Sequence, residues 1–430
     1  MSIYRYLLWL LIAVLLSVAL ATGQDLRRFL ESNPIITEVK EIEGNPSFKQ
    51  TYEIKVRQLI NPKDSSDGFF LQRVFVADKD PVRPVVLITE GYSAEYASQP
   101  NYRHELSQIL EANQLCVEHR YFGESVPDSM VWKFLTVENA AFDHHRIVSI
   151  FKDYYRGKWL NTGISKGGQA ALGHRAFFPD DVELTVAYVA PLNFGVEDGR
   201  HETFLKQVGT AESRGKIRDF QFEILKRKAQ MLPLLNTYGE TRHYRYPVDL
   251  GEALDFVVLE YPFAFWQWGY SCHEIPDLSA DDQALFRHLA KVSPPDYFSY
   301  EGSAGYSPFF YQAALELGYY GYDTEPFGEL MSVKSVKGYL NRIMVPGNQT
   351  VDYDPGTALM INDFLLNRAK GVVLIYGEID PWSASAATVR RNRQNLKVMK
   401  PGGCHKTRIL NLPEQDRREV IKRIKKVLNE

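Results

Sequence analysis

The sequence predicts an α/β fold: a mostly parallel β-sheet with a large, mainly helical cap inserted before the last strands. Three observations predict it. Short, continuous apolar runs (Val85–Thr89, Leu115–Glu118, Trp159–Thr162, Leu184–Val189, Val372–Tyr376) suit strands buried on both faces. Helix-length segments such as His104–Asn113 and Val137–Tyr155 separate most of them. The strand rhythm stops after Pro191 and resumes at Gly371. The composition agrees with a globular chain: 430 residues, 45% hydrophobic, 24% charged, net charge −3. That balance offers no basic surface of the kind nucleic acid requires.

Taken in order, Arg5 precedes an apolar stretch from Leu7 to Ala21 ending in Ala19-Leu20-Ala21, the pattern of a cleaved secretory signal over residues 1–21. The stretch is short of the roughly 20 residues that a membrane span needs. The expectation is therefore an exported protein, secreted or periplasmic, without a stable membrane anchor. Gln50–Ile60 and Gly68–Asp78 are rich in β-branched and aromatic residues and flank Asn61-Pro62-Lys63-Asp64-Ser65-Ser66, the composition of a β-hairpin. The first part of the sheet domain is assigned to 22–192, the cap to 193–345 and the second part to 346–430. Within the cap, Phe204–Leu234 and Asp281–Val292 have helical pattern, and aromatic loops fill the rest. Near the end, Lys422, Arg423, Lys425 and Lys426 alternate with apolar Val420, Ile421, Ile424, Val427 and Leu428, a solvated face of an amphipathic helix.

Three cysteines, Cys116, Cys272 and Cys404, are too few for a disulfide framework, and pairing of Cys116 with Cys272 is left open. No zinc spacing is present: His273-Glu274 lacks a second His four residues after the first. No metal and no cofactor are expected. Asn348-Gln349-Thr350 fits an N-glycosylation acceptor. Oligomeric state is not legible.

The chemistry lies in Trp159-Leu160-Asn161-Thr162-Gly163-Ile164-Ser165-Lys166-Gly167-Gly168, a strand, then G-x-S-x-G, then a helical pattern. G-x-S-x-G alone occurs in about one random chain of this length in seven, from average Gly and Ser usage. Between a buried strand and a helix it is the context of a nucleophile elbow, which makes Ser165 the candidate nucleophile and the fold an α/β-hydrolase. That fold supplies the acid and then the histidine later, each on a loop leaving a strand. Asp380 follows Gly371–Tyr376, with Glu378 as the less favoured acid, and His405 follows Leu396–Met399. His405 would move the Ser165 proton, and Asp380 would hold the imidazole in its productive tautomer. The other nine histidines lack this placement. The oxyanion donors expected are the amide of Lys166 and that of Gly91 or Tyr92, on the loop after an early strand. The same triad serves an esterase or lipase, so spacing alone leaves both reactions open.

Several strings resemble the secreted bacterial prolyl tri/tetrapeptidyl aminopeptidase family: Ile88-Thr89-Glu90-Gly91-Tyr92, Glu118-His119-Arg120-Tyr121-Phe122-Gly123-Glu124-Ser125, Asp143-His144-His145-Arg146-Ile147 and Thr162–Gly168. More distantly, the second string and Tyr311-Gln312 through Glu316-Leu317-Gly318-Tyr319 look like lysosomal Pro-Xaa carboxypeptidase and dipeptidyl peptidase II. The resemblance implies a serine exopeptidase that removes short peptides, with Pro at the cleavage site, from substrates with a free N-terminus. It implies substrate contacts at Glu90, Glu118, Tyr311, Gln312 and Glu316, the carboxylates among them holding an ammonium group. Glu90, awkward beside an oxyanion, is expected to turn toward an amine or Arg120. A proline pocket calls for aromatics, and Tyr261, Phe263, Phe265, Trp266, Trp268 and Tyr270 supply them in the cap, with Trp266 and Trp268 as the substrate-binding candidates.

Overall fold

The computed structural model describes residues 25–429. The signal segment assigned to 1–21 lies outside the described residues. Nine strands form one sheet in the order β1-β2-β3-β5-β4-β6-β7-β8-β9. Their ranges are β1 Ile36–Glu41, β2 Gln50–Leu59, β3 Phe69–Asp78, β4 Val85–Thr89, β5 Asn113–Val117, β6 Trp159–Ile164, β7 Leu184–Tyr188, β8 Val372–Gly377 and β9 Leu396–Lys400. The first three pair antiparallel, and β3 also meets β5 antiparallel. From β5 to β9 every pairing is parallel.

β2 and β3 are the expected hairpin, in register from Gln50↔Asp78 to Leu59↔Phe69. β1 was not anticipated. Its sequence, Ile-Thr-Glu-Val-Lys-Glu, exposes most of its residues as an edge strand does, and so lacks the continuous apolar run that marked the central strands. Those central strands are fully buried, because helices cover both faces. The covering helices are α1 Leu26–Ser32, α2 Glu105–Leu110, α3 Val137–Phe151, α4 Lys166–Phe177, α11 Gly356–Asn367 and α12 Glu414–Asn429. On α12, Val420, Ile424, Val427 and Leu428 are buried, and the basic residues between them lie on the outer side.

The chain between β7 and β8 is mainly helical: α5 Arg200–Leu205, α6 Ala211–Lys226, α7 Lys228–Arg242, α8 Leu250–Trp268, α9 Asp282–Val292 and α10 Ser307–Gln312. The single helix expected from Phe204 to Leu234 is therefore broken twice. Gly209, at φ 65°, sits with its Cα against Trp266, and Arg227 leaves helical geometry at the α6–α7 junction. A second correction concerns Tyr261–Trp268, placed by the sequence among aromatic segments but lying in the last turns of α8. Tyr261, Phe263 and Phe265 face the interior of the cap, so its aromatic density is chiefly core packing. No helix among the described residues is long and apolar enough to cross a membrane.

Candidate active site

β4, β6, β8 and β9 are mutually parallel, so the loops at their carboxyl ends open on one side of the sheet, where α/β sheets place their ligands. The loop after β6 is the tight turn at Ser165, whose φ of 55° and ψ of −122° lie outside the comfortable range of an L-residue. Two close approaches hold it. A Cβ on Gly163 would stand 2.1 Å from the Gly167 carbonyl oxygen. Thr89 Oγ1 donates to the Gly167 carbonyl at 3.0 Å, tying β4 to the first turn of α4. The Ser165 N–H donates to the Tyr188 carbonyl at 2.8 Å, tying the turn to the carboxyl end of β7.

Asp380, fully buried beyond β8, accepts from His405 Nδ1 through Oδ2 at 2.7 Å, while its Oδ1 accepts from the Trp382 amide at 3.2 Å. The ring's Nε2 is thereby left to face away from the carboxylate. Glu378, exposed, accepts instead from the Gly402 amide at 2.8 Å. Both loops are braced from the cap side. The His405 amide donates to the Gln267 carbonyl in the last turn of α8 (2.9 Å), and the Trp268 ring stands edge-on to the imidazole at 6.0 Å. His201 Nδ1 meets the Pro381 carbonyl at 3.0 Å.

Lys166, first in α4, has an amide with no acceptor inside its own helix. Its side chain is buried, donates from Nζ to the Gly91 carbonyl at 2.7 Å, and lies over the rings of Phe122 and Tyr92. Burial holds this ammonium well below the ordinary lysine range, with Glu316 and Glu90 opposing the shift. In a trans peptide the C=O and the following N–H point in opposite directions. Anchoring the Gly91 carbonyl on Lys166 therefore aims the Tyr92 N–H away from Nζ, whereas the Gly91 N–H lies beside the Glu90 carboxylate. Among the two amides the sequence left open, the geometry favours Tyr92.

The carboxylates expected to hold an ammonium group are distributed differently. Glu118 is fully enclosed and saturated: Oε2 accepts from Arg73 (2.6 Å), the Ala94 amide (2.9 Å) and Ser93 Oγ (3.2 Å), Oε1 from the Glu124 amide (2.8 Å) and Ser125 Oγ (2.9 Å). It braces the loop that carries Tyr92 and has no capacity left for an amine. Glu316 accepts from the Val137 amide at 2.6 Å and from Gln312 at 3.2 Å, an anion at the N-terminus of α3. Burial pushes its carboxyl above the usual range. Glu90 does not turn to Arg120. It accepts from the Tyr96 hydroxyl, and burial pushes it up to about 7. Arg120 is consumed by a two-point pair with Asp143 at 2.7 and 2.8 Å.

The aromatic candidates also separate. Trp268 is 44% exposed beside His405. Trp266 lies with Phe263, Tyr320, Tyr322 and Phe327 on the wall of a cavity of about 500 Å³ in the cap. Tyr311 packs on Trp132 at 5.3 Å, and Gln312 is buried against Glu316. Around Tyr92 the structure brings in residues that sequence reasoning missed: Phe122, Phe309 and the half-exposed Tyr306, each edge-on to the Tyr92 ring within 5.9 Å. A 217-residue separation between Tyr92 and Phe309 leaves no local signal for this enclosure.

A second missed residue is Glu260 on α8. Its Oε2 accepts from the hydroxyls of Tyr320 (2.9 Å) and Tyr322 (2.8 Å), and burial pushes it up to about 7, partly offset by these two bonds. The three cysteines are unpaired, so Cys116, which is buried, and Cys272 form no bridge.

The family model described as PS-10 peptidase S37 matches residues 25–427. The chain is 29% identical over 392 residues to the prolyl tri/tetrapeptidyl aminopeptidase of Streptomyces mobaraensis, covering 88% of this chain and 80% of the relative. It is 22% identical over 394 residues to the lysosomal Pro-X carboxypeptidase of Bos taurus, covering 79% of each. Among solved structures, proline iminopeptidase of Mycobacterium smegmatis superposes with a TM-score of 0.42 at 12% identity, covering 87% of this chain and 98% of that one.

Proposed function

The chain belongs to the PS-10 peptidase S37 family and is a serine peptidase, and from that premise we propose an exported aminopeptidase that releases short peptides, three or four residues ending in Pro, from free N-termini through Ser165, His405 and Asp380. The observation that carries the proposal is the 2.7 Å contact between His405 Nδ1, on the loop leaving β9, and Asp380 Oδ2, on the loop leaving β8, at the same carboxyl-terminal side of the parallel strands as the strained turn at Ser165 after β6. In this reading Ser165 Oγ attacks the carbonyl that follows the proline ring, and its proton passes to His405 Nε2. The amides of Lys166 and Tyr92 receive the oxyanion. His405 then protonates the leaving amine, which departs with the rest of the substrate. Water, activated by the same imidazole, hydrolyses the acyl-enzyme and restores the serine. Asp380 keeps the proton on Nδ1 and stabilises the imidazolium.

The aromatic enclosure of Tyr92, Phe122, Tyr306 and Phe309 supports the proline preference, being apolar and ring-shaped in its contacts. The relative's name supports the released length, and the apolar segment Leu7–Ala21 supports export. The cap over the carboxyl ends of the strands would restrict entry to peptide ends. The test is turnover, by the chain and by Ser165→Ala, of Ala-Ala-Pro-p-nitroanilide, its N-acetyl twin and a short-chain p-nitrophenyl ester. Release from the free peptide, blocked by acetylation and lost in Ser165→Ala, is expected. Turnover of the ester alone would refute the aminopeptidase assignment, and rapid cleavage within a folded loop would refute the role given to the cap.

A further inference from the structure

Glu118 is saturated by protein donors that include Arg73, and Glu90 and Glu316 both lie in the field of the Lys166 ammonium, so none of the three is an anion without a counter-charge for the amine of the proposed substrate. Glu260 is a carboxylate without a counter-ion. Among the described residues no Lys, Arg or His pairs with it, and the titratable groups around it are the hydroxyls of Tyr297, Tyr319, Tyr320, Tyr322 and Tyr339. Both hydrogen bonds fall on Oε2. Oε1 accepts none among the described residues, is not among the sealed unpartnered atoms, and the residue keeps 7% of its surface. An anion held by two phenols and lacking a cation suits an ammonium group, which gains the carboxylate and can donate to the phenol oxygens beside it.

The placement of Glu260 relative to the catalytic loops can be read along α8. Glu260, Phe263 and Gln267 follow one another at three and four residues, on one face of the helix. Gln267 receives the His405 amide at 2.9 Å. Phe263 packs on Trp382, two residues beyond Asp380, at 5.2 Å, and is stacked on Tyr320 at 3.7 Å. Tyr320 in turn donates to Glu260. The same face thus meets the His405 loop, the Asp380 loop and the carboxylate in succession. From Gln267 back to Glu260 is about 10 Å along the axis at 1.5 Å per residue. Three residues of extended peptide also span about 10 Å, and each further residue adds roughly 3.3–3.6 Å.

We propose that Glu260, with the hydroxyls of Tyr320 and Tyr322, is the receptor for the substrate's N-terminal ammonium group, and that its position two turns up α8 from the His405 loop sets the released peptide at three residues. This rests on the aminopeptidase reading above and names the residue that would make it an exopeptidase.

The experiment compares the chain with Glu260→Gln, whose amide oxygen keeps both tyrosine bonds, on Ala-Ala-Pro-p-nitroanilide, its N-acetyl twin and the dipeptide Ala-Pro-p-nitroanilide. Removing one member of an enclosed charge pair is expected to lower kcat/KM for the free tripeptide roughly 30- to 1,000-fold. Most of the loss should fall in KM, the acetylated twin should not change, and the advantage of three residues over two should disappear. Tyr322→Phe, which withdraws one donor and leaves the charge, should cost the free tripeptide about three- to tenfold, since one hydrogen bond to a charged group is lost. Covalent labelling of the serine by a small phosphonate checks that each variant is folded. If Glu260→Gln is labelled and still prefers the free over the acetylated peptide as strongly as the parent, Glu260 is not the receptor although the aminopeptidase reading stands. If Glu260→Gln does not fold, an unchanged preference in Tyr322→Phe overturns the proposal in the same way. A parent chain with no preference for a free N-terminus overturns both readings.

Discussion

Replacing Lys166 by Met tests whether a buried lysine sets the oxyanion site. The two side chains are close in length, so the change removes the ammonium and leaves most of the packing against Tyr92 and Phe122. What is lost is the 2.7 Å charge-assisted bond to the Gly91 carbonyl, worth about 1.5–3 kcal/mol for a charged donor. Deleting an oxyanion donor outright costs about 100- to 1,000-fold in kcat. Here the Tyr92 amide is still present but no longer aimed, so kcat should fall about 10- to 100-fold, with KM within about threefold of the parent. Stability should move little, because two effects oppose each other. Burial of the ammonium, visible in its lowered pKa, is relieved. The Gly91 carbonyl loses its donor, at about 1–3 kcal/mol. The assay is steady-state kinetics on Ala-Ala-Pro-p-nitroanilide beside a thermal melt. A kcat within threefold of the parent, or a loss carried wholly by KM, would refute the claim that Lys166 aims the Tyr92 amide.

Three other outcomes follow from the geometry. Asp380→Asn should retain the fold and the contact to the Trp382 amide yet lower kcat by about 10⁴, because the amide favours the wrong imidazole tautomer; a loss below tenfold in the pH-independent rate would contradict the assignment. Glu260→Gln should change the pH dependence of stability. The folded carboxyl titrates near 7, above its ordinary 4.5, so the folded state holds the extra proton and its stability falls as pH rises from about 4.5 through 7. Glutamine escapes this, and the variant should gain up to about 3 kcal/mol on the parent between pH 4 and pH 8, read from urea midpoints; an equal difference at both pH values would exclude the shift. Gly163→Ala should fail to fold or lose more than about 3 kcal/mol, since its methyl would meet the Gly167 carbonyl oxygen at 2.1 Å. A melting temperature within two degrees or so of the parent, well under the shift of about 2–4 °C per kcal/mol usual for large domains, would show that the turn can relax.

The sequence by itself carried the parallel sheet, the hairpin before it and the order of Ser165, Asp380 and His405. Each of these is written in local pattern: continuous apolar runs for strands buried on both faces, turn residues between two β-rich segments, and loops that leave strands. It did not carry β1, whose mixed polar sequence suits an edge, or the last turns of α8, whose aromatics look alike whether they line a pocket or pack a core. Nor could it rank the carboxylates. Glu90, Glu118, Glu260 and Glu316 are the same side chain, and what separates them is which donors arrive from elsewhere in the chain. Arg73 and two backbone amides fill Glu118, the N-terminus of α3 fills Glu316, and Tyr96 takes Glu90. Only Glu260 is left between Tyr320 and Tyr322 without a cation. Hydrogen bonds and desolvation act over a few ångströms between residues far apart in the chain, 179 positions in the case of Val137 and Glu316. The sequence therefore determines which groups are available, and only the tertiary structure decides which of them are already satisfied.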